Sequence, residues 1–103
     1  PSVFSNVVAS IEQHVEWIHD CIQMMRRKGL QQIEADGAFE DQWVEKVNSI
    51  ASETLLATGN SWYLGANILG KPRVFMPYAG GVGEYRKVCE RVVGNDYIGF
   101  KFT

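Results

Sequence analysis

The sequence predicts an α/β chain of about three helices with short strands, and three patterns carry that prediction. Ile11, Val15, Ile18, Ile22 and Met25 recur at alternating steps of four and three, the period of one helix face. Phe39, Trp43, Val47, Ile50 and Ala51 fall on one side of a second helical stretch. Tyr97 to Phe102 alternates residue by residue, with Tyr97, Gly99 and Lys101 against Ile98, Phe100 and Phe102, as a strand does. At 103 residues, one domain or less is expected, with a thin margin of buried surface.

Taken in order, Pro1 to Ala9 reads as an extended lead-in. Ser10 and Gln13 have the spacing of a capping box, which places the first helix at 10–28. Arg26, Arg27 and Lys28 suit the negative end of its dipole, and Gly29 suits the left-handed residue that follows a helix. Leu30 to Ala35 reads as a short strand, with Ile33 and Ala35 on one face. Asp36-Gly37 reads as a turn. The second helix spans 38–58, with Glu40, Asp41, Glu45 and Lys46 largely on its outer side. A glycine-marked loop occupies 59–73, followed by a strand candidate at 74–78. Tyr85, Val88, Cys89 and Val92 predict a third helix at 84–93, stopped at Gly94-Asn95, and a closing strand covers 97–102.

The stretch 59–83 organises the rest, because it holds six of the ten glycines and two of the three prolines. Pro72 biases Lys71 toward an extended shape. Trp62 and Tyr63 stand at its start, and large aromatics argue for an ordered, functional loop. Trp62 offers a wide apolar face and one N–H donor, which suits stacking on a flat ligand. It suits plugging the chain's own core equally well.

Ten basic and twelve acidic residues give a net charge of −2, which points away from nucleic acid and from membrane surfaces. No apolar run approaches the roughly 18 residues of a spanning helix, and no signal-peptide pattern opens the chain. Cys21 and Cys89 lack the spacing of a disulfide framework or a metal knuckle. They read as reduced core thiols, which favours a cytoplasmic setting. A first residue of Pro1 rather than methionine raises the expectation of a piece of a longer protein.

Other candidate chemistry is weak. Gly80, Gly81 and Gly83 precede a helix whose amides could receive an anion, yet the Walker lysine and the full dinucleotide fingerprint are both missing. His14 and His19 lie five apart on one helix and face different ways, with no zinc pattern around them, so no metal site is expected. A tight strand-to-helix connection and structural histidines account for these features better.

Residues 61–81, Ser-Trp-Tyr-Leu-Gly-Ala-Asn-Ile-Leu-Gly-Lys-Pro-Arg-Val-Phe-Met-Pro-Tyr-Ala-Gly-Gly, closely resemble the C-terminal region of the Baeyer–Villiger monooxygenases. The likeness runs on through Tyr85-Arg86 to Tyr97-Ile98-Gly99-Phe100. It also includes Ser10-Ile11-Glu12 and Val15-Glu16-Trp17-Ile18 upstream. Residues 30–58 are the least specific part. The resemblance implies the C-terminal portion of a flavoprotein (of the cyclohexanone and phenylacetone monooxygenase kind) that completes its FAD-binding domain. The intact enzyme would use FAD, NADPH and O2 to convert ketones to esters or lactones, and would keep NADP bound. Within that reading Trp62 matches the loop tryptophan that contacts NADP. Asn60, Ser61 and Tyr63 belong to the same nucleotide-gating loop, 59–73. Met76 and Pro77 match positions that line the ketone pocket, while Phe75 points to the opposite face and is expected in the core.

Leu69 departs from a proline frequent in relatives, which loosens the loop backbone. Pro77 replaces larger apolar residues, which suggests a roomier pocket for bulky ketones. No complete Rossmann domain is expected, because the family's two G-x-G-x-x-G motifs and the motif between them do not occur here. The arginine that serves the family's flavin chemistry also lies upstream, so no catalytic residue is assigned in this segment. FAD and NADPH would be held mainly by the remainder of the enzyme, and the 103 residues alone are expected to be inactive. The competing expectation is a non-catalytic binding or scaffold module related to these enzymes.

Overall fold

The computed structural model describes residues 6–54, 64–65 and 68–103. Helix α1 spans Val7–Lys28, strand β1 Ile33–Ala35, helix α2 Gly37–Ser52, helix α3 Val82–Gly94 and strand β2 Phe100–Phe102. Among the described residues the sheet is a two-stranded antiparallel ribbon. Ile33 faces Phe102, Glu34 faces Lys101 and Ala35 faces Phe100. Backbone bonds from Gln31 and Gln32 to Thr103, and from Asp36 to Gly99, extend the ribbon at both ends.

Helix α1 starts three residues before the expected capping box. The Asn6 side chain accepts the Ala9 N–H at 3.2 Å, and the Asn6 carbonyl accepts both the Ser10 N–H and the Ser10 hydroxyl. Asparagine caps as well as serine does, so Val7 to Ala9 join the helix rather than an extended lead-in. Ser10 is then a buried interior residue and not a cap. At the other end Gly29 has φ 67°, and Leu30 donates to Met25, a Schellman closure as the sequence suggests.

Helix α2 begins at Asp36, whose carboxylate accepts the Ala38 N–H at 3.0 Å and pairs with Lys101 on β2 at 3.2 Å. The Lys101 contact, helped by the Ala38 amide, holds this carboxyl below its usual range. The helix ends at Ser52, not 58. Thr54 turns back to the Ala51 carbonyl through both its N–H and its hydroxyl, and residues 55–58 of the expected helix lie outside the described residues. Helix α3 starts at Val82, two residues earlier than expected, after Gly81 at φ 90°.

Two expected strands differ. Residues 74–78 join no ladder, since Pro72 precedes them, Pro77 lies among them at a bend, and the ribbon lies elsewhere. The closing strand begins only at Phe100. Asp96 and Tyr97 have φ of 54° and 56°, Gly99 has φ 95°, and the Phe100 N–H returns to the Tyr97 carbonyl in a turn. A side chain at Gly99 would also press on Phe39 at 3.3 Å.

The core forms where α2 meets the 64–79 segment. Val47, Ala51, Leu64, Phe75 and Tyr78 are buried, with Trp43, Ile50, Ala79 and Tyr85 packed around them. Trp43 stacks on Tyr78 with ring centres 5.6 Å apart and planes 9° from parallel. Tyr85 leans on Tyr78 and meets His14 edge-on, which links α3 and α1 to the same cluster. A second group, Trp17 with Tyr97 and Phe100, fastens α1 to the C-terminal ribbon.

Gly80 is required by this stack, because a Cβ there would lie 2.6 Å from the Tyr78 hydroxyl and 2.9 Å from its ring edge. Gly80→Ala is expected to push Tyr78 off Trp43 and cost about 1–3 kcal/mol. The check is a lower urea midpoint together with a changed near-ultraviolet dichroism. Gly83→Ala, with no atom within 4 Å of the new methyl, is expected to gain about 0.5–1 kcal/mol as a helical alanine.

Candidate functional site

The residues expected to shape a site sit on the segment that α2 holds in place. Asn48 lies on the inner side of α2 between Val44 and Ala51, and its Nδ2 donates to the Val44 carbonyl at 2.8 Å. That bond aims Oδ1 outward, where it accepts the Phe75 N–H at 2.9 Å. The Val74 N–H donates to the Leu64 carbonyl at 3.2 Å. Between them these bonds fix the backbone of 74–75, so Phe75 is driven into the core at 2% exposure and its neighbour Met76 points away at 55%. Alternation thus survives without a ladder, and the expectation that Phe75 is core while Met76 faces outward holds. Pro77 is half-buried beside Met76. Asn60, Ser61, Trp62 and Tyr63 lie outside the described residues.

The structure also holds a groove that the sequence did not suggest. It encloses about 690 Å³ between α1, α2, α3 and the turn before β2, with Gln13, His14, Trp17, Phe39, Trp43 and Tyr85 among its walls. Gln13 Oε1, His14 Nε2 and Trp17 Nε1 are buried there without a hydrogen-bond partner among the described residues. Neither Met76 nor Pro77 lines this groove. His14 packs on Tyr85, whereas His19 is exposed and paired with Asp20, so one histidine is structural and the other solvated. Cys21 is buried and Cys89 half-buried, and both are free thiols. Burial raises the Cys21 pKa and so keeps it in the inert thiol form.

No family model matches the sequence. A cyclohexanone 1,2-monooxygenase from Acinetobacter sp. is 40% identical over 97 residues, covering 94% of this chain and 18% of that enzyme. A Baeyer–Villiger monooxygenase from Pseudooceanicola batsensis is 40% identical over 94 residues, covering 91% and 17%. Among solved structures, oxidised steroid monooxygenase bound to NADP superposes with a TM-score of 0.87 at 41% identity, covering 99% of this chain and 19% of that one. The OTEMO complex with FAD and NADP superposes with a TM-score of 0.73 at 36% identity, covering 87% and 16%. This chain is a relative of one segment of the Baeyer–Villiger monooxygenases. It spans under a fifth of the length of the relatives it matches.

Within the Baeyer–Villiger framework, the described residues do not fit a dinucleotide cradle. Such a cradle needs a parallel strand feeding a helix N-terminus, and here the two strands are antiparallel and α3 follows an extended segment. Glu84 in the first turn of α3 places a carboxylate where a phosphate would sit, and Lys87 already pairs with it at 2.8 Å. Gly80 and Gly81 before α3 are therefore connector residues, and Gly83 lies in its first turn. Among the described residues no group of three or more His, Cys, Asp or Glu could hold a metal, and no helix is long and apolar enough to cross a membrane.

Tyr85, which joins the core to the groove, gives a pH signature. Burial, then the adjoining Cys89, pushes its phenol from 10.0 up to about 12. The folded state holds that proton more tightly than the unfolded chain does. Its contribution is thus intact below about pH 10 and is lost as pH rises toward 12. Tyr85→Phe is expected to flatten the fall of the urea midpoint across that window, leaving the part due to Tyr97, whose phenol is also raised by burial.

Proposed function

We propose that this chain is the C-terminal segment of an FAD- and NADPH-dependent Baeyer–Villiger monooxygenase, which oxidises ketones to esters or lactones with O2. The 103 residues act as a single segment that completes the FAD-binding domain. The observation that carries the reading is the likeness along nearly the whole chain to enzymes of this family, at 40% identity and with superposition on an NADP-bound relative. FAD and NADPH, bound by the rest of the enzyme, supply the electrons and the oxygen-transferring chemistry.

The residues of this chain position and shield. The loop 59–73 serves as a gate over the nicotinamide nucleotide, with Trp62 offering its indole face and N–H, and Asn60, Ser61 and Tyr63 completing the strip. Closing such a gate excludes water from the reacting centre. Met76 and Pro77 form part of the ketone pocket. The support for this is the Asn48 bond to Phe75, which anchors one neighbour inward and turns Met76 out toward whatever packs on this face. Pro77 leaves more room than a larger apolar side chain would, which suits bulky or polycyclic ketones.

Two substitutions in the intact enzyme test the two halves of the proposal separately. Trp62→Ala is expected to weaken NADP retention about tenfold, the equivalent of roughly 1.4 kcal/mol, and to raise the hydrogen peroxide released per NADPH consumed. Unchanged affinity and coupling would sink the gate. Met76→Gly is expected to change the kcat/KM ratio between a small and a bulky ketone by about tenfold or more. Flavin reduction by NADPH should stay within about twofold of the parent, and its collapse would make Met76 a structural residue instead.

A further inference from the structure

Hydrophobic burial alone does not settle which way Met76 points. Burial has no direction, so the Phe75 ring could enter the core with the backbone beside it turned through a range of angles. Two backbone bonds remove that freedom. The Val74 N–H donates to the Leu64 carbonyl at 3.2 Å, and the Phe75 N–H donates to Asn48 Oδ1 at 2.9 Å, across 27 positions of sequence. The second bond fixes the peptide plane that leads into Phe75. On the far side of Met76, the Pro77 ring locks its own φ and bars helical backbone at the residue before it. Met76 therefore stands between a tethered amide and a locked ring, with its side chain turned out of the core.

The tether is built to orient. The Val44 carbonyl lies inside α2, where the helix ladder already supplies it with a donor. The Asn48 Nδ2 bond to it at 2.8 Å answers no unmet need, and its effect is to hold the carboxamide in one rotation. A carboxamide offers a donor at one end and an acceptor at the other, which is what a bridge between Val44 and Phe75 requires. We infer that Asn48 is a positioning residue for ketone selection: by fixing the peptide that carries Phe75, it sets the direction from which Met76 meets the ketone. This rests on the functional reading above, in which Met76 lines the ketone pocket. Asn48 touches no substrate in this role and acts through Met76. A displaced pocket wall discriminates by shape. The effect therefore falls on bulky against small ketones and not on electron transfer from NADPH.

The full-length parent enzyme, Asn48→Ala, Met76→Gly and the double variant decide this. Each is assayed for kcat/KM on one small and one bulky cyclic ketone, and for the rate of flavin reduction by NADPH. Asn48→Ala is expected to change the ratio of the two kcat/KM values about fivefold, mainly through KM, with flavin reduction within about twofold of the parent. In the Met76→Gly background the same substitution is expected to move the ratio by less than about twofold, because the side chain it positions is gone. A residue that merely stabilised the fold would lower both kcat/KM values together, and a ratio left unmoved in that way overturns the inference. A fivefold change that persists undiminished alongside Met76→Gly overturns it too. A ratio altered by Met76→Gly but untouched by Asn48→Ala overturns this inference alone. A ratio untouched by Met76→Gly overturns the pocket reading and this inference with it. Flavin absorbance checks that each variant is folded. Asn48→Ser replaces Asn48→Ala where the latter loses its flavin, since a serine hydroxyl bonds back to the Val44 carbonyl and leaves the Phe75 N–H without this acceptor.

Discussion

The carboxamide of Asn48 holds this fold to its shape. A segment bounded by Pro72 and Pro77, and belonging to no sheet, has backbone donors that must still be satisfied. Asn48 meets the demand at Phe75, and because its other end is bonded to its own helix it does so in one orientation. The consequences spread from that point. Phe75 completes the core of Val47, Ala51, Leu64 and Tyr78. Tyr78 can then lie flat on Trp43, and Tyr85 on α3 closes over the pair. The outward direction of Met76 follows from the inward direction of its neighbour. The bond itself contributes about 0.5–1.5 kcal/mol, a fair share of what a thin core supplies.

Local patterns made the helices legible, and long-range pairing hid much of the rest. The 3-4 spacing located α1 and α3, and Gly29 marked a helix end by chemistry that needs no tertiary partner, whereas Asp36-Gly37, expected as a turn, is the N-cap and first residue of α2. The start of α1 was misplaced because two good caps, Asn6 and Ser10, stand four residues apart, and the upstream one prevails when the three residues between them can all be helical. The strand at 74–78 failed for another reason. A β pattern shows which residues share a face, and it does show that for Phe75 and Met76, but it cannot show whether a partner strand exists. Tyr97 to Gly99 failed likewise, because alternation gives no warning of positive φ at Asp96 and Tyr97.

The candidate site was legible only through resemblance. Trp62, Met76 and Pro77 came from a match of ordered residues, while Asn48 sits in the stretch where that match is least specific. The helix pattern gave no signal for it, because Asn48 falls beside Asp41 at the edge of the polar side of α2. The groove beside His14 and Trp17 had no sequence signature, because it arises from how three helices meet.

The two faces of α1 connect these points. A chain that folded for itself would turn its most regular aliphatic stripe inward. Here the inward sector is Ser10, Gln13, Trp17 and Cys21, a mixed set held by an aromatic contact to Tyr97 and by the small volume of the serine and cysteine. Small and polar residues allow a close approach but bury little apolar area, so they contribute modestly to stability. The larger aliphatic residues of the helix, Val8, Ile11, Val15, Ile18 and Ile22, stay about half exposed instead. Selection for a free-standing domain would reverse that distribution.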